Sequence, residues 1–128
     1  MNKQTLALLA LLLALSANTF AAAPKCYSSH GGYCQYRGKV SQIYINRYNL
    51  ILLYFDTAIA ASEPAKAGFS INNRSAAAYA VKENPEFAKF FYSTALAAQA
   101  SGRDVIIQMR GNQSGYLKFD RIWLIAPK

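Results

Sequence analysis

Residues that could do catalytic chemistry are few in this chain of 128 residues. Its single histidine, His30, has no second imidazole with which to complete a zinc site. No Gly-x-Ser-x-Gly motif and no phosphate-binding glycine loop occurs. The acidic residues form no pair that the sequence places across a cleft; they are Asp56, Glu63, Glu83, Glu86, Asp104 and Asp120. We therefore expect no enzyme, no metal and no cofactor, and we interpret His30 as a solvated loop residue.

Binding chemistry is better represented than catalysis. Nine tyrosines offer flat faces with a hydrogen-bonding tip, which suit stacking on sugars or bases. Fourteen lysines and arginines against six acids give a formal net charge of +8. These cations are scattered singly, which is typical of a solvated surface. They would also favour anionic partners such as acidic glycans, lipopolysaccharide or nucleic acid, and the charge alone does not choose among them.

The first residues have the pattern of a secretory signal peptide rather than of a domain. A short positive start is followed by an apolar run from Leu6 to Leu15, and small residues then lead to Ala21. The run is too short for a permanent membrane helix, which needs about 20 residues. Cleavage after Ala21 or after Ala23 fits the pattern, and we prefer Ala21. The sequence thus predicts a signal peptide at 1–21, a single domain at 22–128 without a transmembrane segment, and a periplasmic or secreted location.

The two cysteines, Cys26 and Cys34, predict a disulfide that closes a small loop, because the expected compartment is oxidising. A metal or redox site would instead need closer Cys-x-x-Cys spacing or further histidines. A disulfide would help so small a chain, which can bury only a modest core.

A capped helix from Asn84 to Gly102 is the clearest predicted element. Asn84 is a suitable N-cap, Pro85 fits the first helical position, and Gly102 can adopt the left-handed conformation that ends a helix. Residues at spacings of three and four form an apolar stripe, whose phenylalanines we expect to point inward. The stripe consists of Phe87, Phe90, Phe91, Thr94, Ala95 and Ala98.

Five strands are predicted around this helix. In chain order they span 35–45 with a bulge near Ser41–Gln42, 50–55, 76–81, 104–109 and 118–125. The third segment is rich in alanine, so a helix remains an alternative there. The second strand is apolar on both faces. One face must cover the core, and the other meets either a partner or the N-terminal arm or helix.

Three strands, a helix and two further strands follow the order of the OB-fold. This fold is a five-stranded Greek-key barrel of the mainly β class, with its helix between strands three and four. Its ligands bind at the loops that join strands one and two and strands four and five. Here those loops carry Arg47, Tyr48, Asn49, Asn112, Gln113 and Tyr116.

We predict a glycan site from these loop residues, with Tyr48 or Tyr116 stacking on a sugar and Arg47 pairing with a sugar carboxylate. The alternative is that both tyrosines close the ends of the barrel. Trp123 lies among Ile122, Leu124 and Ile125. We therefore interpret it as a core or interface residue rather than a ligand platform.

Four segments also resemble a known family: 38–43, 84–87, 95–107 and 119–124. Their pattern is similar to small secreted bacterial proteins related to the B subunit of subtilase cytotoxin and to pertussis-like toxin B subunits. The resemblance covers nearly all of the predicted domain. It implies an OB-fold, a ring-shaped homo-pentamer, recognition of sialylated cell-surface glycans and, in some relatives, a toxin A subunit as partner. It transfers no site residue.

The sequence thus predicts a secreted, non-enzymatic binding protein that recognises glycans. The alternative is a periplasmic OB-fold module that binds a protein partner or single-stranded nucleic acid. Secretion and dispersed charge make nucleic acid the less favoured ligand.

Overall fold

The computed structural model describes residues 22–127. The predicted signal peptide, residues 1–21, lies outside the described residues. The described part is mixed α/β, mostly one sheet with one main helix, α2, which follows a short helix, α1. Its strands and helices are β1 Lys25–Tyr27, β2 Tyr33–Gly38, β3 Ile43–Ile45, β4 Leu50–Tyr54, α1 Glu63–Lys66, β5 Ala76–Ala80, α2 Pro85–Ser101, β6 Val105–Gln113 and β7 Tyr116–Leu124. Short 3-10 turns span Ser29–Gly31 and Val81–Glu83.

The strands of the described residues form a single sheet in the order β1-β2-β6-β7-β5-β4-β3. Neighbouring strands are antiparallel except β5 and β7, which run parallel. Successive side chains of a strand point to opposite faces. The inner face packs with α2 into the core, whereas the outer face points away from it.

Helix α2 begins and ends as predicted. Asn84 Oδ1 accepts a hydrogen bond from the backbone N–H of Phe87 at 3.0 Å, and Gly102 adopts a left-handed φ of 65°. Phe91 stacks on Phe119 of β7, with ring centroids 4.0 Å apart. The expectation that every phenylalanine of the stripe points inward is wrong for Phe90, which is 61% exposed. Its position lies about 100° around the helix from Phe91, outside the buried stripe.

The third predicted strand is confirmed as β5, not a helix. All its residues, Ala76–Ala80, are buried between β4 on one side and β7 on the other. The helix propensity of alanine is worth less than about 1 kcal/mol per residue, so sheet pairing and burial on both faces overrule it.

The predicted first strand, 35–45, is two strands rather than one bulged strand. The chain leaves β2 at Gly38 and enters β3 at Ile43, at the opposite edge of the sheet. The intervening segment is held by the end of α2 and by the residues that follow this helix. The carbonyl of Ser41 accepts from Gln99 Nε2 at 3.2 Å, and Lys39 forms an ion pair with Asp104 at 2.9 Å.

A close approach at Gly38 helps to explain where β2 ends. A Cβ at this position would lie 2.6 Å from the phenolic oxygen of Tyr36. Burial, followed by the nearby Asp56 carboxyl, raises the pKa of Tyr36. The phenol therefore stays protonated and donates to the Lys39 carbonyl at 2.9 Å. Glycine is thus required at a point where the Tyr36 side chain folds back on its own strand.

The predicted disulfide is confirmed between Cys26 and Cys34. These residues are direct partners in the β1–β2 pair, and both are buried. The loop therefore contributes a strand, β1, that the sequence analysis did not predict. Gly32 within it has a φ of 87°, and a Cβ there would collide with the carbonyl oxygen of Ala67. The disulfide loop is consequently packed tightly against the segment that follows α1.

The predicted strand count is wrong in detail. The described residues form seven strands rather than five, and α2 lies between the fifth and sixth rather than between the third and fourth. One extra strand comes from the disulfide loop, and the other from the break after Gly38. Neither feature has a strong hydrophobic period, which is why the pattern of apolar residues did not reveal them.

Candidate functional site

The predicted turn residues Arg47, Tyr48 and Asn49 project from the turn between β3 and β4. Asn46 Oδ1 organises this turn by accepting from the backbone N–H groups of Tyr48 at 3.0 Å and Leu50 at 3.2 Å. Asn49 takes a left-handed φ of 59°. Arg47 lies 4.9 Å from the Tyr48 ring centroid and donates to its hydroxyl at 2.7 Å. Tyr48 is 71% exposed, so it does not close the end of a barrel.

The predicted loop residues Asn112, Gln113 and Tyr116 lie on strands rather than in a loop. β6 and β7 extend to a two-residue turn, Ser114–Gly115, and both turn residues have positive φ. That geometry suits a tight hairpin. Asn112 is used structurally, because its Nδ2 donates to the Ser70 carbonyl at 2.6 Å and its Oδ1 accepts from Gly115 at 2.9 Å. The Oε1 atom of Gln113 is buried without a hydrogen-bond partner in the described structure.

The structure does not bring these two predicted groups together. Leu50, after the first turn, pairs with Ala80 at the end of β5. Leu117, after the hairpin, pairs with Ala77 near the start of β5. The two groups therefore lie at opposite ends of that strand, about 10 Å apart along it. They are not walls of one pocket.

Between them, the outer face of β4 and β5 is apolar and covered by side chains of the sheet itself. Leu52, Ala76 and Ala78 are buried there, and Leu50, Tyr54 and Tyr116 pack against them. We call this surface the alanine face. The second apolar face of the predicted second strand is thus covered, within residues 22–127, by neighbouring tyrosines rather than by the N-terminal arm or the helix.

The other half of the outer surface is polar and aromatic. Cross-strand pairing aligns Arg37 with Ile106 and Ile106 with Trp123, and in the next row aligns Gln35 with Gln108 and Gln108 with Arg121. Direct partners and alternate residues share a face. We call this surface the arginine–amide face, and it consists of Gln35, Arg37, Ile106, Gln108, Arg121 and Trp123.

Trp123 is the aromatic residue of the arginine–amide face. It is 43% exposed, so the core placement is wrong, and of the predicted alternatives, core or interface, only the interface stays a prediction. Neighbouring Ile122 and Leu124 pack against the core, and Trp123 must therefore point outward. An indole ring exposed on a flat sheet offers a stacking surface with one N–H donor.

Hydrogen bonds and ion pairs orient the polar groups of this face. Gln108 Nε2 donates to Gln35 Oε1 at 3.2 Å, which leaves the Gln108 oxygen directed elsewhere. Asp120 Oδ2 lies 2.6 Å from Arg121 Nε and 3.7 Å from Arg110 Nε. The Arg110 Nε atom is buried and has no hydrogen-bond partner in the described structure. The face thus presents guanidinium and amide donors with one carboxylate among them.

The arginine–amide face was not predicted from the sequence, although part of its signal is present there. In β6 the inward residues are Val105, Ile107 and Met109, while Ile106 and Gln108 alternate with them. On β7 the alternation changes phase. The register shifts between β6 and β7 near Met109, so Phe119 and Ile122 both point inward at odd spacing. A bulge of this kind is not visible in the sequence of one strand.

Within residues 22–127, no group of three or more histidine, cysteine, aspartate or glutamate residues could hold a metal ion. Within the same residues, no helix has the length and apolar character needed to cross a membrane. His30 is exposed in the disulfide loop, as expected.

Comparison of the chain with protein-family models, with curated proteins and with solved structures finds no match.

Proposed function

We propose that this is a secreted, non-enzymatic protein that recognises an acidic glycan on its arginine–amide face. The observation that carries the proposal is the exposed Trp123, which lies in one row with Arg37 and beside Arg121. A sugar ring stacks on the indole, a guanidinium group pairs with the sugar carboxylate, and the Gln108 amide bonds to hydroxyls. The resemblance to toxin B subunits favours a sialylated glycan.

The face suits a sugar better than a nucleic acid. Asp120 lies between Arg121 and Arg110 and places a carboxylate at the edge of the surface. A carboxylate repels the anionic groups of either ligand, but it accepts hydrogen bonds from sugar hydroxyls, which the phosphates of a nucleic-acid backbone do not offer. The two paired glutamines also match a ligand with many hydroxyl groups. Single-stranded nucleic acid, the alternative ligand, would be favoured by a surface of cations without this carboxylate.

An OB-type barrel belongs to the same proposal. β2 and β3 are then two halves of one broken first strand, β1 is an addition, and β4, β5, β6 and β7 are strands two to five. The parallel pairing of β5 with β7 and the antiparallel pairing of β2 with β6 support this assignment. The ring-shaped pentamer rests on the resemblance alone, and light scattering of the purified protein measures it.

The turn of Arg47 and Tyr48 is the second candidate place for the same ligand. Its exposed tyrosine carries a guanidinium 4.9 Å from the ring centroid, so both groups needed for an acidic sugar are present. Their mutual contact also weakens the case, because the Arg47 guanidinium is already engaged with the Tyr48 ring and hydroxyl. The Trp123 indole has no such neighbour among the ring and cation contacts of the described residues.

The test is binding of soluble sialyllactose, measured by calorimetry, to the wild type and to single variants. Trp123→Ala should raise the Kd at least about tenfold, the size typical of an aromatic anchor. Arg37→Gln should also weaken binding. Tyr44→Ala is the matched control, because Tyr44 is 45% exposed on β3 and lies outside the arginine–amide face.

Three outcomes are decisive. No binding of the wild type on a broad panel of acidic glycans would refute glycan recognition. Loss of binding in Arg47→Ala and Tyr48→Ala, with Trp123→Ala unchanged, would move the site to the turn. Tighter binding of oligo-dT than of any glycan would favour the nucleic-acid alternative. Thermal unfolding of each variant separates loss of binding from loss of fold.

A further inference from the structure

We infer that the ligand is an extended acidic oligosaccharide that reaches from Trp123 to a second aromatic platform, Tyr27, on the disulfide loop. This inference rests on the proposed function, and it specifies the length and charge of the ligand. The inference rests on the outer surface of the sheet, which continues from the arginine–amide face onto β1. Cross-strand pairing places Tyr27 opposite Tyr33, and Lys25 opposite Gln35.

The second platform is built and held in place. The rings of Tyr27 and Tyr33 lie 5.1 Å apart between centroids, tilted by 31°. The Arg110 guanidinium lies 5.5 Å from the Tyr33 ring centroid. Its Nη1 atom donates to the carbonyls of His30 at 2.7 Å and Gly32 at 3.0 Å. Tyr33 is therefore supported from both sides, while Tyr27 is 42% exposed and offers its ring to solvent.

The separation of the platforms decides the length of the ligand. Tyr33 lies four residues before Arg37 on β2, and Arg37 is in the same row as Trp123 on β7. Strand rise and strand spacing place Tyr33 roughly 17 Å from Trp123, and Tyr27 one strand further away. A single sugar ring cannot bridge that span. An oligosaccharide lying diagonally across the strands can contact both platforms.

Donors fill the surface between the platforms. One row crosses four strands in the order Lys25, Gln35, Gln108 and Arg121, so a cation lies at each end and two amides lie between. This order fits a chain that carries carboxylates at intervals and hydroxyls between them. A neutral oligosaccharide would leave the Lys25 ammonium unused, whereas Arg121 is already paired with Asp120 at 2.6 Å and meets the ligand with its remaining N–H groups.

A shallow cleft of about 480 Å³ adjoins Tyr27 and is lined by Cys26, Ser28, Ser29 and Lys66. Its hydroxyls and the Lys66 ammonium suit a substituent at the end of the chain. Lys66 is paired with Glu63 at 2.6 Å but remains more than half exposed, so it is accessible to an anion. The far end of the ligand thus has both a stacking surface and polar contacts.

The experiment measures the Kd of α2,8-linked sialic acid oligomers, from dimer to hexamer, for the full chain. The hexamer should bind at least about fivefold more tightly than the dimer, which equals one aromatic contact of about 1 kcal/mol. Tyr27→Ala should remove this gain and leave the dimer unaffected, whereas Trp123→Ala should weaken every length. Tyr44→Ala, a tyrosine of similar exposure on β3, should behave as the wild type.

The outcomes separate the inference from the proposed function. Equal affinity for dimer and hexamer, with both depending on Trp123, overturns the extended ligand and leaves glycan binding in place. A gain in affinity with length that persists in Tyr27→Ala also overturns the inference. A longer repeating chain offers more equivalent binding positions, and that alone then explains the gain. Failure of both dimer and hexamer to bind overturns the inference together with sialylated-glycan recognition.

Discussion

The outer surface of one sheet carries two halves of opposite character. On the alanine face, Ala76 and Ala78 are fully buried beneath Tyr54 and Tyr116. We call the side chains that lie nearest the sheet on each face its floor. On the arginine–amide face, the floor consists of Gln35, Gln108 and Ile106, none of which is fully buried. The small residues of the first half let large neighbours lie over them. The larger residues of the second half project from the sheet, and the ends of their side chains remain exposed to solvent.

Side-chain size on the floor decides whether the neighbours close the surface or leave it open. A closed floor stabilises the sheet without a second layer, because the tyrosines remove apolar area from water. An open floor leaves donors and an indole available to a ligand, at some loss of burial. The tyrosines of the chain are therefore not equivalent, and only part of them can serve as ligand platforms.

The largest expected effect is on the fold at the disulfide end of the arginine–amide face. Gly32→Ala introduces a Cβ into the Ala67 carbonyl at a φ of 87°. We expect the free energy of unfolding to fall by about 3 kcal/mol or more, from collision and backbone strain together. Urea unfolding measures it. Gly68→Ala is the matched control, because Gly68 has a φ of 80° but open space around its Cβ position.

Gly68→Ala should cost only the backbone strain, about 1–2 kcal/mol. Equal losses in the two variants would show that the close approach between Gly32 and Ala67 does not constrain the fold.

A second prediction contrasts the two floors directly. Ala78→Leu should destabilise the protein by about 1–3 kcal/mol, because the side chain has no room beneath Tyr54 and Tyr116. Gln108→Leu, on the open floor, should change stability by less than about 0.5 kcal/mol and weaken sialyllactose binding instead. Thermal unfolding and calorimetry on both variants test the contrast. A large loss of stability in Gln108→Leu alone would reverse the assignment of closed and open faces.

The smallest effect concerns the attachment of β1. Glu63 Oε2 accepts from the Cys26 backbone N–H at 2.9 Å, and Oε1 pairs with Lys66. The Lys66 contact, followed by that N–H, lowers the pKa of Glu63. A lowered folded-state pKa means that the carboxylate stabilises the fold fully above its ordinary pKa of about 4.3, and that this contribution is lost as the pH falls from there through the lowered folded-state pKa.

Glu63→Gln should therefore lower the urea midpoint slightly at pH 7, and the deficit should shrink as the pH falls through the lowered folded-state pKa. A deficit that stays constant as the pH is lowered until the protein unfolds in acid would show that the glutamate acts through its shape rather than its charge.

Local signals in the sequence were sufficient for the elements that depend on neighbours along the chain. The cap at Asn84, the stop at Gly102 and the disulfide between Cys26 and Cys34 were all predicted and are all present. Each depends on one or two residue types with a short-range role. Phe90 shows the limit of this reasoning, because its side of the helix is decided by where α2 meets the sheet.

The candidate surfaces could be predicted only in part. The exposure of Arg47 and Tyr48 was predicted because a turn exposes its side chains whatever the rest of the chain does. Trp123, Gln108 and Arg121 were missed because their common face depends on the pairing of β6 with β7 and on the register shift near Met109. Nothing within a single strand specifies its partner, so alternation alone could not place these side chains together.

The sequence by itself determined the helix, the disulfide, the main turns and the class of surface chemistry, since all of these follow from local backbone preferences and composition. Tertiary structure alone decided that the first strand divides at Gly38, that β5 lies between β4 and β7, and that Trp123 faces outward. The physical reason is that strand order and register are set by contacts between residues far apart in the chain. Their energies depend on which side chains meet, and not on the side chains taken one at a time.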